Sequence, residues 1–452
     1  MNGKRLLMFG LALTGVMTLT AGQVRAETMG TATQLQQMQS ELDALRSQLN
    51  DVRTTQNETW LNERRTEEVK SLVREVLADA DLRASMVEGG ATAGHNGENF
   101  FLANADGSFL MNVSGQIQAR YIANFRDDSG ADDNEAGFVL RRTKVKFSGH
   151  AADPRISYAV QLAVNRNTNN VDVDTISLGY DLTDNVSISA GQDKAPFLRE
   201  ETTCSGHQLA VERSAVNEVF TLDRVQGIGA TLTLSDNTTA QVMLSDGSRS
   251  GINNTDFDNG TSDFALTTRV DIRLMGDSAQ ADDYSSAPGE GAGLFVGGAF
   301  HWETGESGTT GVGAGDDFYS WTIDASYENQ GLSVSAAGVG LHSELDDDSL
   351  AGGGVDADLY GFVAQVAYNM DSGNGRSTEP FFRYEHIDLD GTEISLVTGG
   401  INWYFAGHSA KFTTDLVYAL DPVAADTGLG VLTDGINQDG QVALRAQFQL
   451  LF

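Results

Sequence analysis

The feature that most constrains this chain is a long run of alternating apolar and polar residues from Phe109 to Phe125. Successive side chains of a β-strand point to opposite faces, so this segment has one apolar and one hydrophilic face. A soluble β-sandwich also alternates, but its strands usually end after about five or six residues. The longer run favours a strand that crosses a membrane. Its apolar face holds Phe109, Met111, Val113, Ile117, Ala119, Tyr121 and Phe125, and its polar face holds Asn112, Ser114, Gln116, Gln118, Arg120 and Asn124.

The same alternation recurs along the rest of the chain. Counting each run once gives about sixteen strands, to within two, and bacterial single-chain barrels close with an even number. Short turns alternate with long, acidic, glycine-rich connections, as periplasmic turns alternate with outer loops. Two connections break this rule, because residues 276–291 are long where a turn is due and residues 388–392 are short where a loop is due. We therefore predict an all-β transmembrane barrel of antiparallel strands over residues 109–452.

The last residues carry the most specific signal. Apolar and polar residues alternate there, and the final residue, Phe452, is aromatic. This pattern resembles the terminal strand of outer-membrane barrels. Such a strand pairs with the first one, because an open sheet edge has no hydrogen-bond partner in lipid. The apolar positions are Val442, Leu444, Ala446, Phe448, Leu450 and Phe452.

The first residues predict export. Lys4 and Arg5 precede an apolar run over residues 6–19, and residues 24–26 form a small-residue cleavage site, so residues 1–26 are predicted to be a signal peptide. No later stretch approaches the ~20 consecutive apolar residues that a membrane helix needs. Cleavage removes three cations and no acid, so the formal charge moves from -34 to -37. Such acidity argues against a nucleic-acid partner. The single cysteine, Cys204, leaves no disulfide framework.

Residues 27–90 have a helical period and are predicted to form a periplasmic coiled-coil stalk. A narrow apolar seam at steps of three and four cannot bury itself in one helix, so it favours identical partner chains. A helix packed on its own neighbour within one chain is the alternative. Residues 91–108, with several glycines, are predicted to be a linker. The seam consists of Leu35, Met38, Leu42, Leu45, Leu49 and Val52.

One predicted strand carries a ladder of cations. A period of two places Arg142, Lys144 and Lys146 on one face, and Arg120 lies on the polar face of the preceding strand. A cation at the lipid midplane costs about 2–4 kcal/mol, so these four residues are predicted to line the pore. Arg141 falls on the lipid side by the same period. The ladder either attracts anions or pairs with acids of neighbouring elements and stiffens the wall; the sequence leaves both open.

Two motifs resemble the phosphate/polyphosphate-selective porin family. They are FVLRRTKVKFSG at residues 138–149, and ISLGY at residues 176–180 followed by GQDKAPFLREE at residues 191–201. The resemblance implies a homotrimer in which each barrel is narrowed by a long inward loop, here about residues 196–220. The charges of this loop depart from a dense cationic filter and suit general diffusion instead. The candidate constriction residues are Lys194, Arg199, Glu200, Glu201, Arg213 and Arg224.

We find no signature of an enzyme or a cofactor. Cys204 and His207 lie three residues apart in the inward loop, but a free thiol and a chance histidine explain them best. No nucleophile and base are found on adjacent predicted strands, and no histidines have metal-ligand spacing. Calcium among the acidic outer loops, including residues 256–260 and 346–348, is left open, although the glutamate of a calcium-binding loop is missing.

The sequence thus predicts an outer-membrane porin that gives passive diffusion of small polar or ionic solutes, with an anion or phosphate preference as one option. The alternative is an envelope-spacing protein whose stalk tethers the outer membrane to the cell wall. The expected partners are membrane lipid, two further copies of the chain, the solutes and, for the stalk, peptidoglycan.

Overall fold

The computed structural model describes residues 90–97, 99–126, 134–165, 168, 170–250, 264–304, 317–344, 357–423, 428–431 and 440–452. The predicted signal peptide, residues 27–89 of the predicted stalk and the acidic segments 256–260 and 346–348 lie outside these described residues. Within the described part, no helix combines the length and apolar character needed to cross a membrane.

The described chain is almost entirely β-structure. Two short helices, α1 (Arg199–Thr202) and α2 (Ala215–Phe220), and a 3-10 turn (Ser278–Asp282) interrupt it. The strands are β1 (Ala91–His95), β2 (Phe100–Asn104), β3 (Phe109–Phe125), β4 (Asn134–Ala151), β5 (Asp153–Val164), β6 (Val171–Thr183), β7 (Val186–Lys194), β8 (Arg224–Ser235), β9 (Thr238–Ser245), β10 (Phe264–Met275), β11 (Gly293–Thr304), β12 (Asp317–Asn329), β13 (Leu332–Glu344), β14 (Ala357–Tyr368), β15 (Met370–Gly373), β16 (Arg376–Leu389), β17 (Glu393–Ala406), β18 (Ala410–Ala419) and β19 (Val442–Leu451).

Strands β3 to β19 form a closed antiparallel barrel. β14 and the short β15 both pair with β16 and together make one wall strand, which gives the sixteen strands that the sequence predicted. Closure is made by β19 on β3, in register from Val442 opposite Phe125 to Leu451 opposite Gln116. The predicted fold class is therefore confirmed, and the terminal strand closes the barrel as its alternation indicated.

The two faces of the strands have the polarity that the alternation predicted. On β3, Ile117 and Phe125 are 41% and 49% exposed on the outside, whereas Gln118 and Arg120 are 1% and 3% exposed inside. On β10, Leu274 and Val270 likewise face outward while Arg269 is buried inside. An apolar exterior and a hydrophilic interior are what a barrel in lipid requires.

The connections at the two ends of the barrel differ in length. One end carries residues 126–133, 165–170, 195–223, 246–263, 305–316, 345–356, 390–392 and 420–441. The other end carries residue 152 and residues 184–185, 236–237, 276–292, 330–331, 374–375 and 407–409. We assign the first end to the outside and the second to the periplasm, since outer loops are the longer ones. The two exceptions noted in the sequence, a long periplasmic connection and a short outer one, are both present.

Residues 91–108 differ from the predicted linker. β1 and β2 form an antiparallel hairpin, and β2 pairs with β3 from Phe100 opposite Val113 to Ala103 opposite Leu110. β19 ends opposite Gln116, so it does not cover residues 109–113 on this edge of β3. The hairpin therefore supplies a partner for a strand edge that would otherwise be open, which the glycines of the segment concealed at the sequence level.

The inner face of the barrel is filled along one half of the wall. On β12, β14, β18 and β19, nearly every second residue is buried. Loop residues 195–223 and 428–431 lie against this half, and Val216 and Phe220 of α2 join a core with inward-facing wall residues. Gly361 permits this packing, because a Cβ there would lie 2.8 Å from both side chains. The wall residues of the core include Val339, Leu341, Leu359, Ile387, Ile394, Leu396 and Val417.

The other half of the wall, β4 to β9, keeps its inner face accessible. Short polar side chains occupy much of the inner face of β5 to β9, and β4 adds charged ones. None of β5, β7 or β8 shows the alternation of buried residues seen opposite. The lumen is therefore a one-sided passage between the filled half and this wall, which we call the open wall. Its inward residues include Ser157, Ser177, Ser187, Ser189, Thr231 and Thr239.

A cation placed on the exterior should destabilise the barrel far more than one placed on the open wall. Ile323, at the middle of β12, is 58% exposed to the outside, whereas Thr231 faces the lumen. We expect Ile323→Arg to lower the free energy of unfolding by about 2–4 kcal/mol, because arginine is desolvated at the lipid midplane. Thr231→Arg should cost less than about 1 kcal/mol. Urea unfolding in lipid vesicles measures both, and equal losses would contradict the assignment of faces.

Candidate pore and constriction

The loop that fills the barrel runs from Ala195 to Asp223. Its ends are joined by a hydrogen bond from the amide of Ala195 to the carbonyl of Asp223, at 3.1 Å. Ser214 caps α2, its hydroxyl accepting from the amide of Asn217 at 2.9 Å. We call this segment, for which the sequence predicted residues 196–220, the constriction loop.

Glu212 is the centre of the loop's contact with the β3–β4 wall. Its carboxylate pairs with Arg120 at 3.0 Å, with Arg141 at 2.7 Å and with Arg142 at 2.5 Å. Three guanidinium groups therefore converge on one buried carboxylate. Arg120 also donates to the carbonyl of Val211 at 2.8 Å, so the wall holds the loop backbone as well as the side chain.

The position of Arg141 corrects the sequence prediction that it lies on the lipid side. The pairing of β3 with β4 shifts by one residue at this point, since Gln118 lies opposite Arg142 and Ala119 lies opposite Leu140. Such a β-bulge inserts Arg141 as an extra residue on β4 and turns its side chain inward. Two consecutive arginines thus reach Glu212, which a strict period of two does not allow.

A second cluster lies beside the first, at the outer ends of β6 to β8. Asp174 pairs with Lys144 at 2.5 Å and with Arg224 at 2.9 Å. Glu201 of α1 pairs with Arg213 at 3.3 Å and with Lys194 at 3.6 Å. Each of these two carboxylates is again outnumbered by its cations.

Together these clusters give a local excess of positive charge in an acidic chain. Seven cations meet four carboxylates, the fourth being Asp223, which lies 3.1 Å from Arg224. Most of these groups line an outward-facing cavity of about 400 Å³, which we call the outer cavity. Arg249 and Glu218, which also line it, add one charge of each sign.

The carboxylates of the loop are held in their charged form. Burial alone would raise the pKa of Glu212, but Arg142, Arg120 and Arg141 outweigh it and hold that pKa well below its usual range. Burial likewise opposes ionisation of Glu201, and Arg213 and Lys194 still lower its pKa. The excess of cations is therefore not relieved by protonation of these acids.

The predicted pore-lining residues do not act as one ladder. Arg120 and Arg142 are tied to Glu212 and Lys144 to Asp174. Lys146 lies opposite Ser114 and Gln161, and has no ion pair among the described residues. The structure thus shows much of the pairing that the sequence left as an alternative to a free cationic stripe.

The predicted constriction residues divide between the two halves of the lumen. Glu201, Arg213 and Arg224 line the outer cavity, and Lys194 pairs with Glu201 beside it. Arg199 and Glu200 lie on the filled side, where Arg199 donates to Ser326 and the Glu200 carboxylate accepts from the Ser214 amide at 2.8 Å. The positions of these residues along the sequence of the loop could not predict which of them lie at the outer cavity and which lie on the filled side.

A larger cavity of about 580 Å³ lies on the periplasmic side of α1, and we call it the inner cavity. Arg269 and Arg273 of β10 line it together with Asp271 and Asp324, so its walls are of mixed charge. α1 and the residues that follow it border both cavities.

Cys204 and His207 also border the inner cavity. The backbone amide of His207 donates to the carbonyl of Cys204 at 2.9 Å, and the ring of His207 lies 4.7 Å from that of His408. No group of three or more metal-binding side chains is found in the described part of the chain.

Two residues that complete the site, Glu212 and Asp174, were not among the predicted site residues. Glu212 lies in a loop of mixed charge, where nothing in the sequence marks it as the partner of β4. Asp174 lies in the run Val171 to Asp174, where apolar and acidic residues alternate just before the predicted strand that begins at Ile176; a β-bulge between the two segments shifts the phase and turns Asp174 inward. That alternation was the available signal.

Comparisons with known proteins identify one family model and several solved barrels that are similar to the chain. The family model described as phosphate-selective porin O and P matches residues 111–449. An anion-selective porin from Comamonas acidovorans is 12% identical, with 76% of this chain and 99% of that chain covered and a TM-score of 0.50. OmpF of Salmonella typhi is 14% identical, with 79% and 100% covered and a TM-score of 0.49. No curated protein matches the chain.

The charge state of Glu212 should make the stability of the barrel depend on acid pH. Because its pKa is lower in the folded than in the unfolded chain, its contribution is complete above its ordinary value of 4.5 and is lost as pH falls towards the folded value. We expect the free energy of unfolding of the native chain, measured with urea, to fall between about pH 5 and pH 3. Glu212→Gln should flatten this slope, whereas Glu393→Gln, at an exposed position, should keep it. An unchanged slope in Glu212→Gln would contradict the prediction.

Proposed function

Because the chain belongs to the phosphate-selective porin O and P family and is an outer-membrane channel, we propose that it conducts small anions in preference to cations. The route is the passage along the open wall, from the outer cavity past α1 to the inner cavity. Transport is passive diffusion, and the fold and family point to a channel rather than an enzyme.

The observation that carries this proposal is the cation excess at the outer cavity. Fixed positive charge in a pore with low-dielectric walls raises the local concentration of anions. Arg142, Lys144 and Arg224 are arranged around only two carboxylates, Glu212 and Asp174, so part of their field reaches the lumen. The pairing also fixes these side chains in place, which keeps the donors preorganised for a passing anion.

The mixed charge limits how selective this channel is. Desolvating an anion such as phosphate requires several fixed donors, and here four carboxylates lie among the seven cations. We therefore propose a graded preference for anions over cations, without a dedicated phosphate filter. The residues that set it are Arg120, Arg142, Lys144, Lys146, Lys194, Arg213 and Arg224, with Arg141 added by the structure.

We further propose that the outer face of β5 to β9 is the interface between copies of the chain in a homotrimer. Aromatic residues form girdles where a barrel meets the lipid headgroups. Along β5 to β9 the only aromatic residues on the strands are Tyr158 and Tyr180, both near the periplasmic end, and the outer end has none. Leu178, Ile188 and Ile228 surround an apolar depression of about 430 Å³ on this outer face.

The rest of the barrel has the girdle that β5 to β9 lack, and this contrast supports the proposal that protein covers that face. Exposed aromatic side chains elsewhere on the wall include Phe109, Tyr121, Phe125, Phe138, Phe264, Phe300, Trp302, Tyr319, Trp321, Tyr360, Phe362, Tyr368, Phe382, Phe405, Tyr418 and Phe448.

We also propose that the predicted coiled coil stands in the periplasm. The barrel strand β3 begins at the end with the short turns, and the hairpin β1–β2 lies there too. In a trimer, the apolar seams Leu35 to Val52 of the three copies would pack against one another and be buried. The comparisons do not support the envelope-spacing function, and it is not proposed.

Removing a cation and removing a carboxylate at the outer cavity should change the ion preference in opposite directions. We expect Lys144→Gln and Arg224→Gln to lower the ratio of anion to cation permeability, each by about twofold, because each removes one fixed positive charge near the passage. Asp174→Asn should raise the ratio, because it frees both of those cations. Reversal potentials in planar bilayers under a salt gradient measure the ratio.

Arg155→Gln is the matched control, since Arg155 pairs with Asp153 at the exposed periplasmic turn, 2.9 Å away and far along the strand from the cavity. Its ratio should equal that of the native chain. A native channel that prefers cations, or Lys144→Gln and Asp174→Asn variants that shift the ratio in the same direction, would count against the proposal.

A charge placed in the proposed interface should separate the subunits. Ile228 lies in the aliphatic face and is 58% exposed, while Phe362 lies in the aromatic face and is 43% exposed. We expect Ile228→Arg to run as a folded monomer on an unheated denaturing gel, because a desolvated arginine would face the same apolar surface in each contact. Phe362→Arg should remain trimeric, since its side chain faces lipid. If both variants remained trimeric, or if only Phe362→Arg became monomeric, the interface would have to lie elsewhere.

A further inference from the structure

The long periplasmic connection, residues 276–292, is a folded element. At its 3-10 turn the side chain of Gln280 accepts from the backbone amide of Asp277 at 2.8 Å and donates to the carbonyl of Gly291 at 3.0 Å. Gln280, Tyr284 and Ser286 are buried. A turn between two neighbouring strands needs only a few residues, so the extra length has to be explained by what it contacts.

The connection extends across the periplasmic ends of the filled half of the barrel. The carbonyl of Glu290 accepts from the amide of Gln330 at 2.9 Å, and the hydroxyl of Ser286 accepts from the amide of Gly331 at 3.2 Å. Ser285 donates to the Glu379 carboxylate at 2.6 Å. Asp283 pairs with His408 at 3.0 Å. These contacts reach from β12 to the turn before β18, so the connection forms a floor beneath that half.

The same connection holds the constriction loop from below. The guanidinium of Arg199 donates to the carbonyls of Ala281 and Asp283 at 3.2 and 3.4 Å. Its central carbon lies 5.0 Å from the ring centre of Tyr284. Farther along the loop, Leu209 packs in a small core with Tyr284. The loop is therefore gripped at α1 and again ten residues later.

We propose that residues 276–292 act as a latch that positions the constriction loop, and that Arg199 is the positioning residue through which they hold it. α1 and the residues after it border the passage between the outer and inner cavities. On the lumen side these residues face water and the open wall, so contacts from the floor oppose their movement into the passage. The latch keeps the passage open by holding α1 against the filled half.

The chemistry of Arg199 suits this role better than a lysine would. A planar guanidinium can stack on a tyrosine ring and donate in several directions at once. Arg199 uses both capacities, because its other amino group donates to Ser326 of β12. Wall, floor and loop are thus joined at a single side chain that is 9% exposed.

The proposal is tested by single-channel recording of the full chain in planar bilayers. In Arg199→Ala we expect closures to become several-fold more frequent at a given voltage, because α1 loses the contacts of Arg199 with the floor and with Ser326 of the wall. Arg199→Lys should restore the native closure rate only in part, since it keeps the charge and loses the stacked fork. Tyr284→Leu, which keeps the apolar packing on Leu209, should also give an intermediate closure rate.

Arg273→Ala is the matched control. Arg273 lines the same inner cavity but donates to the carbonyl of Asp236, outside the latch. Its closure rate should remain native even where its current or ion preference changes. Heat-modifiable mobility on a gel establishes that each variant is a folded barrel before it is recorded.

Closure rates at the native level in Arg199→Ala and Tyr284→Leu would overturn the latch, as would an equal increase in Arg273→Ala. If Arg199→Ala does not fold, Tyr284→Leu alone decides in the same way. The readout is independent of the proposed anion preference, because closure rate and reversal potential are separate measurements.

Discussion

The pairing of β19 with β3 is the interaction on which the rest of this structure depends. Lipid offers no partner for a backbone amide or carbonyl, so a sheet can cross a membrane only if it has no open edge. β19 is in register with β3 over ten residue pairs, and the hairpin β1–β2 covers the part of β3 that lies beyond it. Once the cylinder is closed, its diameter is set by its sixteen strands, and the pore can be adjusted only by what fills it.

The filling of the cylinder is asymmetric, and this asymmetry determines where the lumen lies and which side chains border it. The apolar side of α2 packs on inward-facing aliphatic residues of β13 to β18, such as Ile387 and Val417. Glu212 ties the same loop to the arginines of β3 and β4. The lumen that remains is bordered by small polar side chains and by the cations of the outer cavity. A chain with a formal charge of -34 thus presents positive charge at its own passage.

The sequence predicted those features that follow from side-chain alternation and missed those that follow from its interruptions. Alternation placed Arg120, Arg142 and Lys144 inside the barrel and Ile117 outside. It failed at Arg141, where a β-bulge turns two consecutive residues to one side, and at residues 91–104, where glycines concealed a hairpin. The partners of the cations depend on the three-dimensional course of the constriction loop, so Glu212 was visible in the sequence only as one of several loop acids.

The most direct test of the one-sided lumen is the reactivity of single cysteines with a thiol reagent that cannot cross the membrane, in a Cys204→Ser background. Ser189 and Thr239 face the open wall, whereas Ser320 and Thr398 are 1% and 0% exposed on the filled wall. A cysteine at position 189 or 239 should react with the reagent about as fast as a free thiol does. A cysteine at position 320 or 398 should be protected. Equal reactivity on both walls would contradict the account, because water would then fill the whole barrel.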